Sequence, residues 1–128
     1  MLYEDLTEKI LEACFEVSKE LGAGFIESVY EKALIEEFTK KAIKVETQKV
    51  IDVIYKGKKI GVHRLDLVVE GKVVVEIKAV EAINDVHMAQ ILTYLKLMDC
   101  RLGYLINFNV PLIKNGIRRV INGLLSSE

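Results

Sequence analysis

At 128 residues, with a hydrophobic share of 51% and a single proline, the chain has enough apolar side chains for one core and too many for disorder. Its formal net charge of −1 argues against a partner captured by bulk positive field. The start Met1-Leu-Tyr-Glu-Asp-Leu6 lacks the basic and apolar regions of a signal peptide, and no apolar run reaches the ~18 residues of a membrane span, so one cytoplasmic domain over residues 1–128 is expected.

Asp5-Leu-Thr-Glu8 reads as a capping box opening a first helix, on which Ile10, Ala13, Cys14, Val17 and Leu21 recur at helical spacing. Gly22-Ala-Gly24 stops it. A second helix is expected from about Phe25 to Lys40, with Tyr30, Leu34 and Phe38 spaced four apart. Ala42 to Val45 returns the chain to a first strand, Val45 to Tyr55, turned by Lys56-Gly57-Lys58. Ile60 to Val69 and Lys72 to Val80 are the second and third strands, joined by a Glu70-Gly71 turn. Asn84 caps a third helix that runs to about Met98, and Leu102 to Phe108 is a fourth strand. Pro111 and Gly116 interrupt the tail, where Ile117 to Ile121 reads as an edge strand or a helical turn. The order α-α-β-β-β-α-β gives an α/β chain: an antiparallel meander, then a strand added through a helical crossover, with helices flanking a mixed sheet.

The segment Arg64-Leu-Asp66-Leu-Val-Val-Glu-Gly-Lys-Val-Val-Val-Glu76-Ile-Lys78 carries most of the chemistry. Alternation puts Glu76 and Lys78 on one face of the third strand and Val73, Val75 and Ile77 on the other. A short turn brings Asp66 beside Glu76. Two carboxylates and an ammonium on a Val/Ile surface are costly to bury unpaired, and a divalent cation held by Asp66 and Glu76, with Lys78 facing a reacting anion, accounts for them.

Other residues are more ambiguous taken singly. Glu27 lies in the first turn of the second helix, where the macrodipole alone favours a carboxylate. Gln90 and Tyr94 stand at i, i+4 on the third helix, consistent with hydrogen-bonded packing. Cys14 and Cys100 read as reduced core thiols. Alternation places His63 on the face opposite Asp66, and His87 is a candidate for the site's edge. Lys56, Lys58 and Lys59 read as a solvated turn. Lys114, Arg118 and Arg119 are candidates for phosphate-backbone contacts.

Asp66, then Glu76-Ile-Lys78, then Gln90-x-x-x-Tyr94, with Glu27 upstream, together resemble the PD-(D/E)XK nuclease superfamily. Gly24-Phe-Ile-Glu27-Ser-Val-Tyr30 is similar to the signature of its GxxExxY family of small prokaryotic proteins. The resemblance runs from about Leu6 to Asn122, with Leu65 where the superfamily's name has Pro. It implies a restriction-endonuclease-like core and hydrolysis of nucleic-acid phosphodiesters, with DNA the expected substrate. It also implies Mg²⁺ or Mn²⁺ on Asp66, Glu76, the Ile77 carbonyl and Glu27, and Lys78 at the scissile phosphate. Gln90 and Tyr94 match the helix motif of the recombination-exonuclease branch, where such residues support the site and substrate strand. The alternative is a non-catalytic nucleic-acid- or protein-binding module that keeps the fold. A homodimer through the first strand or the Ile117 to Ile121 edge is a further expectation.

Overall fold

The structure, a computed structural model, describes residues 2–123. Helices α1 (Glu4–Leu21) and α2 (Glu27–Lys40) precede a meander of β1 (Val45–Tyr55), β2 (Lys58–Val69) and β3 (Val73–Lys78). Helix α3 (Asp85–Met98) then crosses to β4 (Leu102–Asn107), and a 3-10 turn (Ile113–Gly116) leads to β5 (Ile117–Ile121). The sheet order is β1-β2-β3-β4-β5, antiparallel throughout except for the parallel β3–β4 pair. The antiparallel meander, helical crossover and flanking helices expected from the sequence are all present, and the tail is a strand. This is a mixed five-stranded sheet of the restriction-endonuclease type.

Two apolar clusters sandwich the sheet. On one face Ile10, Cys14, Tyr30, Leu34 and Phe38 of α1 and α2 bury Leu67, Val69, Val73, Val75 and Ile77. On the other, Ile91 and Leu95 of α3 cover Leu65, Val68, Val74 and Leu105. Alternation along β3 thus sends Glu76 and Lys78 to the α3 side. Gly103 lets α3 approach β4 closely, since a Cβ there would stand 3.0 Å from Ile91 Cδ1.

Local signals set the boundaries with three corrections. Helix α1 starts at Glu4 behind Tyr3, which has φ 51° and gives no side-chain cap, so Asp5 is not the capping residue. Asp5 and Glu4 instead occupy the first turn, where carboxylates suit the dipole. Helix α2 starts at Glu27 rather than Phe25. The β1–β2 turn is tighter than expected: Lys56 (φ 50°) and Gly57 (φ 81°) alone connect Tyr55 to Lys58, the positive φ values matching strand twist.

One irregularity shapes everything that follows. Leu67 packs toward α1 and α2, yet Leu65, two residues away, packs toward α3. The partner strand does the same between Val45 and Ile51. The break lies at Gln48, held at φ 49°, and at Asp66 opposite, where the β1–β2 pairing skips a rung. Both strands change faces there.

Candidate active site

Strand β3 ends in Glu76-Ile77-Lys78, and the break in β2 brings Asp66 against it. The Asp66 amide donates to Glu76 Oε1 at 3.3 Å, and the Ile77 amide donates to Asp66 Oδ2 at 2.8 Å. These crossed bonds replace ladder bonds beyond Leu67↔Val75, the last rung of the β2–β3 pair. Glu76 is only 6% exposed. Burial, the neighbouring Asp66 charge and a hydrogen bond shared with the Asp66 carboxyl push its pKa up to about 9, against which the Asp66 amide and the Lys78 charge act. The sequence-predicted pair therefore converges, with Lys78 half-buried within electrostatic reach.

Helix α2 approaches from the opposite layer. Gly24 has φ 105°, a conformation that side-chain-bearing residues avoid, and allows the sharp entry to the helix. Tyr30 then fixes the entry loop. It is fully buried, its hydroxyl donates to the Gly22 carbonyl at 2.7 Å and accepts from the Phe25 amide at 3.2 Å, and its ring stacks on Phe108 at 4.6 Å. Glu27 Oε2 consequently meets the Ala79 amide at 3.2 Å, just past the end of β3. One turn on, Glu31 Oε1 accepts from Gln48 Nε2 at 2.9 Å, and Gln48 Nε2 also reaches Asp66 Oδ1 at 3.5 Å. Glu31 and Gln48 were not singled out in the sequence. Their link to Asp66 is non-local, and no short motif announces it.

The segment after Lys78 is held by another unforeseen residue. Buried Asn107 accepts from the amides of Val80 and Asn109 and donates to the Val80 carbonyl at 2.9 Å. Gly116 lies against the Asn107 carbonyl, where a Cβ would overlap the oxygen.

Helix α3 closes the other side. Half-buried Tyr94 has its pKa raised by burial and by the nearby charges of Glu76 and Asp66. Gln90 is exposed one turn before it on the same face of α3. His63 corrects the expectation that it faces away: its ring stacks on Tyr94 at 4.1 Å and 20°. Strict alternation ends at Asp66, where the break moves the outer half of β2 to the α3 side. His87 takes part in the α3 cap, its Nδ1 accepting from the Asn84 amide at 3.2 Å while Asn84 Oδ1 accepts from the His87 amide. In the tail, Arg118 Nη1 donates to the Asn115 and Ile117 carbonyls, and Arg119 stands opposite Tyr104 on the α1–α2 face.

Among the described residues, no three His, Cys, Asp or Glu side chains are grouped to hold a metal. The pair nevertheless fits a hard cation. Mg²⁺ favours one or two carboxylates, retained waters and substrate oxygens over a full protein shell. Two adjacent carboxyls, one kept protonated far above its ordinary range, are also what a divalent charge relieves.

No helix among the described residues is long and apolar enough to cross a membrane. No curated protein matches the chain. The crystal structure of SSO0001 is similar in fold, with a TM-score of 0.55 and 19% identity over 78% of this chain, which spans about half (52%) of that protein's length. Residues 4–120 match the profile of a nuclease superfamily whose members generally depend on a divalent metal and act on nucleic acid. With that match running through both carboxylates, the lysine and the crossover helix, the chain belongs to the PD-(D/E)XK nuclease superfamily.

Proposed function

We propose that this chain is a GxxExxY-type member of the superfamily and a Mg²⁺- or Mn²⁺-dependent phosphodiesterase acting on nucleic acid, with DNA as its substrate. The observation that carries the reading is the crossed Asp66–Glu76 pair, in which each residue's carboxylate accepts a backbone amide of the other strand. That bonding aims two acidic side chains at one point beside Lys78.

In this reading Asp66, Glu76 and the Ile77 carbonyl hold the cation. When bound, the cation acidifies a water and neutralises charge at the scissile phosphate. Lys78, two residues beyond Glu76 on the same face, orients the attacking oxygen and meets the negative charge that develops on the phosphate. Glu27, anchored on the Ala79 amide, would complete the cation's surroundings. Tyr94 and Gln90 support the substrate strand from α3. The chain acts as a single domain, and two copies pair through β1 or β5, the two edges of the sheet.

Crystals soaked in Mn²⁺ test the site directly. Anomalous density between Asp66 and Glu76, absent in Asp66→Asn, is the expected result. Density elsewhere, or none at saturating Mn²⁺, removes the metal-dependent reading.

A further inference from the structure

Beyond Asp66 the β1–β2 hairpin leaves the body of the sheet. Leu67 is the outermost β2 residue paired with β3, while pairing between β1 and β2 continues to Tyr55↔Lys58. This ribbon is charged unlike the rest of the chain. Residues 48–64 carry five basic side chains and one acidic, within a chain that has 18 basic and 19 acidic in all. Lys49 is paired with Glu46 at 2.7 Å and Lys59 with Asp52 at 3.3 Å. Lys56, Lys58 and Arg64 are in no ion pair among the described residues.

One face of the ribbon is continuous with the carboxylate site. Ile51, Val53 and Tyr55 alternate onto it, with His63 opposite Ile51 and Lys58 opposite Tyr55. Ile51 and Tyr94 pack in the α3-side cluster, and His63 stacks on Tyr94 at 4.1 Å, in the layer to which Glu76 and Lys78 turn. Further out, Tyr55 is 57% exposed with the Lys56 ammonium 5.4 Å from its ring centre. An exposed aromatic ring beside cations that are in no ion pair, with a half-buried aromatic stack further in, suits a strand whose bases are free to stack and whose phosphates need neutralising. Duplex bases are already stacked on each other and gain little from such a platform.

We propose that this ribbon is a track for single-stranded nucleic acid leading to Asp66 and Glu76. Bases stack on Tyr55 and against the His63–Tyr94 pair, while Lys56 and Lys58 meet phosphates. The direction of travel rests on the nuclease reading; the binding does not.

The test is fluorescence anisotropy of a labelled oligothymidylate in EDTA, where no turnover occurs. Wild type binds, with an affinity that falls as salt rises. Lys56→Ala/Lys58→Ala flattens the log–log salt slope by about 1.4, at roughly 0.7 per lost phosphate contact on a single strand. Tyr55→Ala weakens binding by about tenfold through loss of a stacked base. These positions are exposed, so the circular dichroism spectrum stays that of wild type. Wild-type affinity and salt slope in both variants overturn the track, as does a wild type that binds no oligonucleotide. Ribbon-dependent binding by a protein that cleaves nothing in Mg²⁺ leaves the track standing and removes the nuclease reading alone.

Discussion

The Asp66 amide donates to the Glu76 carboxylate while the Asp66 carboxylate accepts from the Ile77 amide, so each acid is aimed by the other's strand. Neither side chain can swing away without leaving a peptide group unsatisfied. The cost of this rigidity is electrostatic, since two carboxyls share one half-dry corner, and it appears as a Glu76 that keeps its proton up to about pH 9.

A pH dependence follows from that proton. Unfolded, Glu76 ionises near its ordinary 4.5; folded without metal, it ionises near 9. Its contribution to stability is complete below the lower value and is lost as pH rises through the upper one. Glu76→Gln, which keeps the shape and cannot ionise, should therefore raise the melting temperature of the metal-free protein, more at pH 9 than at pH 5. Metal must displace the proton, so Mn²⁺ affinity measured by calorimetry should rise about tenfold per pH unit below pH 9 and then level off. An affinity independent of pH from 6 to 9 would count against the site.

The loop before α2 gives a second prediction. Tyr30→Phe removes one hydroxyl that bonds both the Gly22 carbonyl and the Phe25 amide inside the core. It should cost about 1–3 kcal/mol in urea unfolding. Because the same loop sets the start of α2, it should also lower turnover by displacing Glu27. Glu27→Gln, which keeps an oxygen for the Ala79 amide, should lose only about tenfold in metal affinity or rate, as removal of an outer-shell partner does.

Gly116→Ala should be among the most damaging changes remote from the carboxylates. Its methyl would overlap the Asn107 carbonyl oxygen in a packed interior. The expected loss is about 2 kcal/mol or more by urea unfolding. The residue that holds Val80 would move with it, so turnover should fall even at temperatures where the variant is folded.

Much of this architecture is legible locally. Glu70-Gly71 announces its turn by composition, Asn84 its cap by position, and the Val73 to Ile77 run its strand, since each depends on neighbours a few residues away. Gly24, Glu27 and Tyr30 were visible as a motif, and the structure adds what each does: a positive φ, a carboxylate at Ala79, and a buried hydroxyl holding the loop. What the sequence hid depends on the break at Gln48 and Asp66. Strict alternation sends His63 away from the site, and only a residue at φ 49° on the paired strand shows that the rule stops there. Glu31, Gln48 and Asn107 were invisible for a related reason: their partners lie on other elements, and Asn or Gln at a strand position carries no signal by itself.

The proposed role of Lys78, acting on a phosphate held beside a metal at Asp66 and Glu76, is open to direct test. The most direct measurement is cleavage of labelled single- and double-stranded DNA and RNA in Mg²⁺, Mn²⁺, Ca²⁺ and EDTA, by wild type, Lys78→Ala and Asp66→Asn, with Mn²⁺ binding followed in parallel. Wild type should cut in Mg²⁺ or Mn²⁺ and not in Ca²⁺ or EDTA. Lys78→Ala should lose about 10²–10³-fold in rate while still binding Mn²⁺, as expected when a group that stabilises developing charge is removed. Asp66→Asn should lose both. Lys78→Ala cutting at the wild-type rate, or no cleavage of any substrate by a wild type that binds Mn²⁺, would contradict the account.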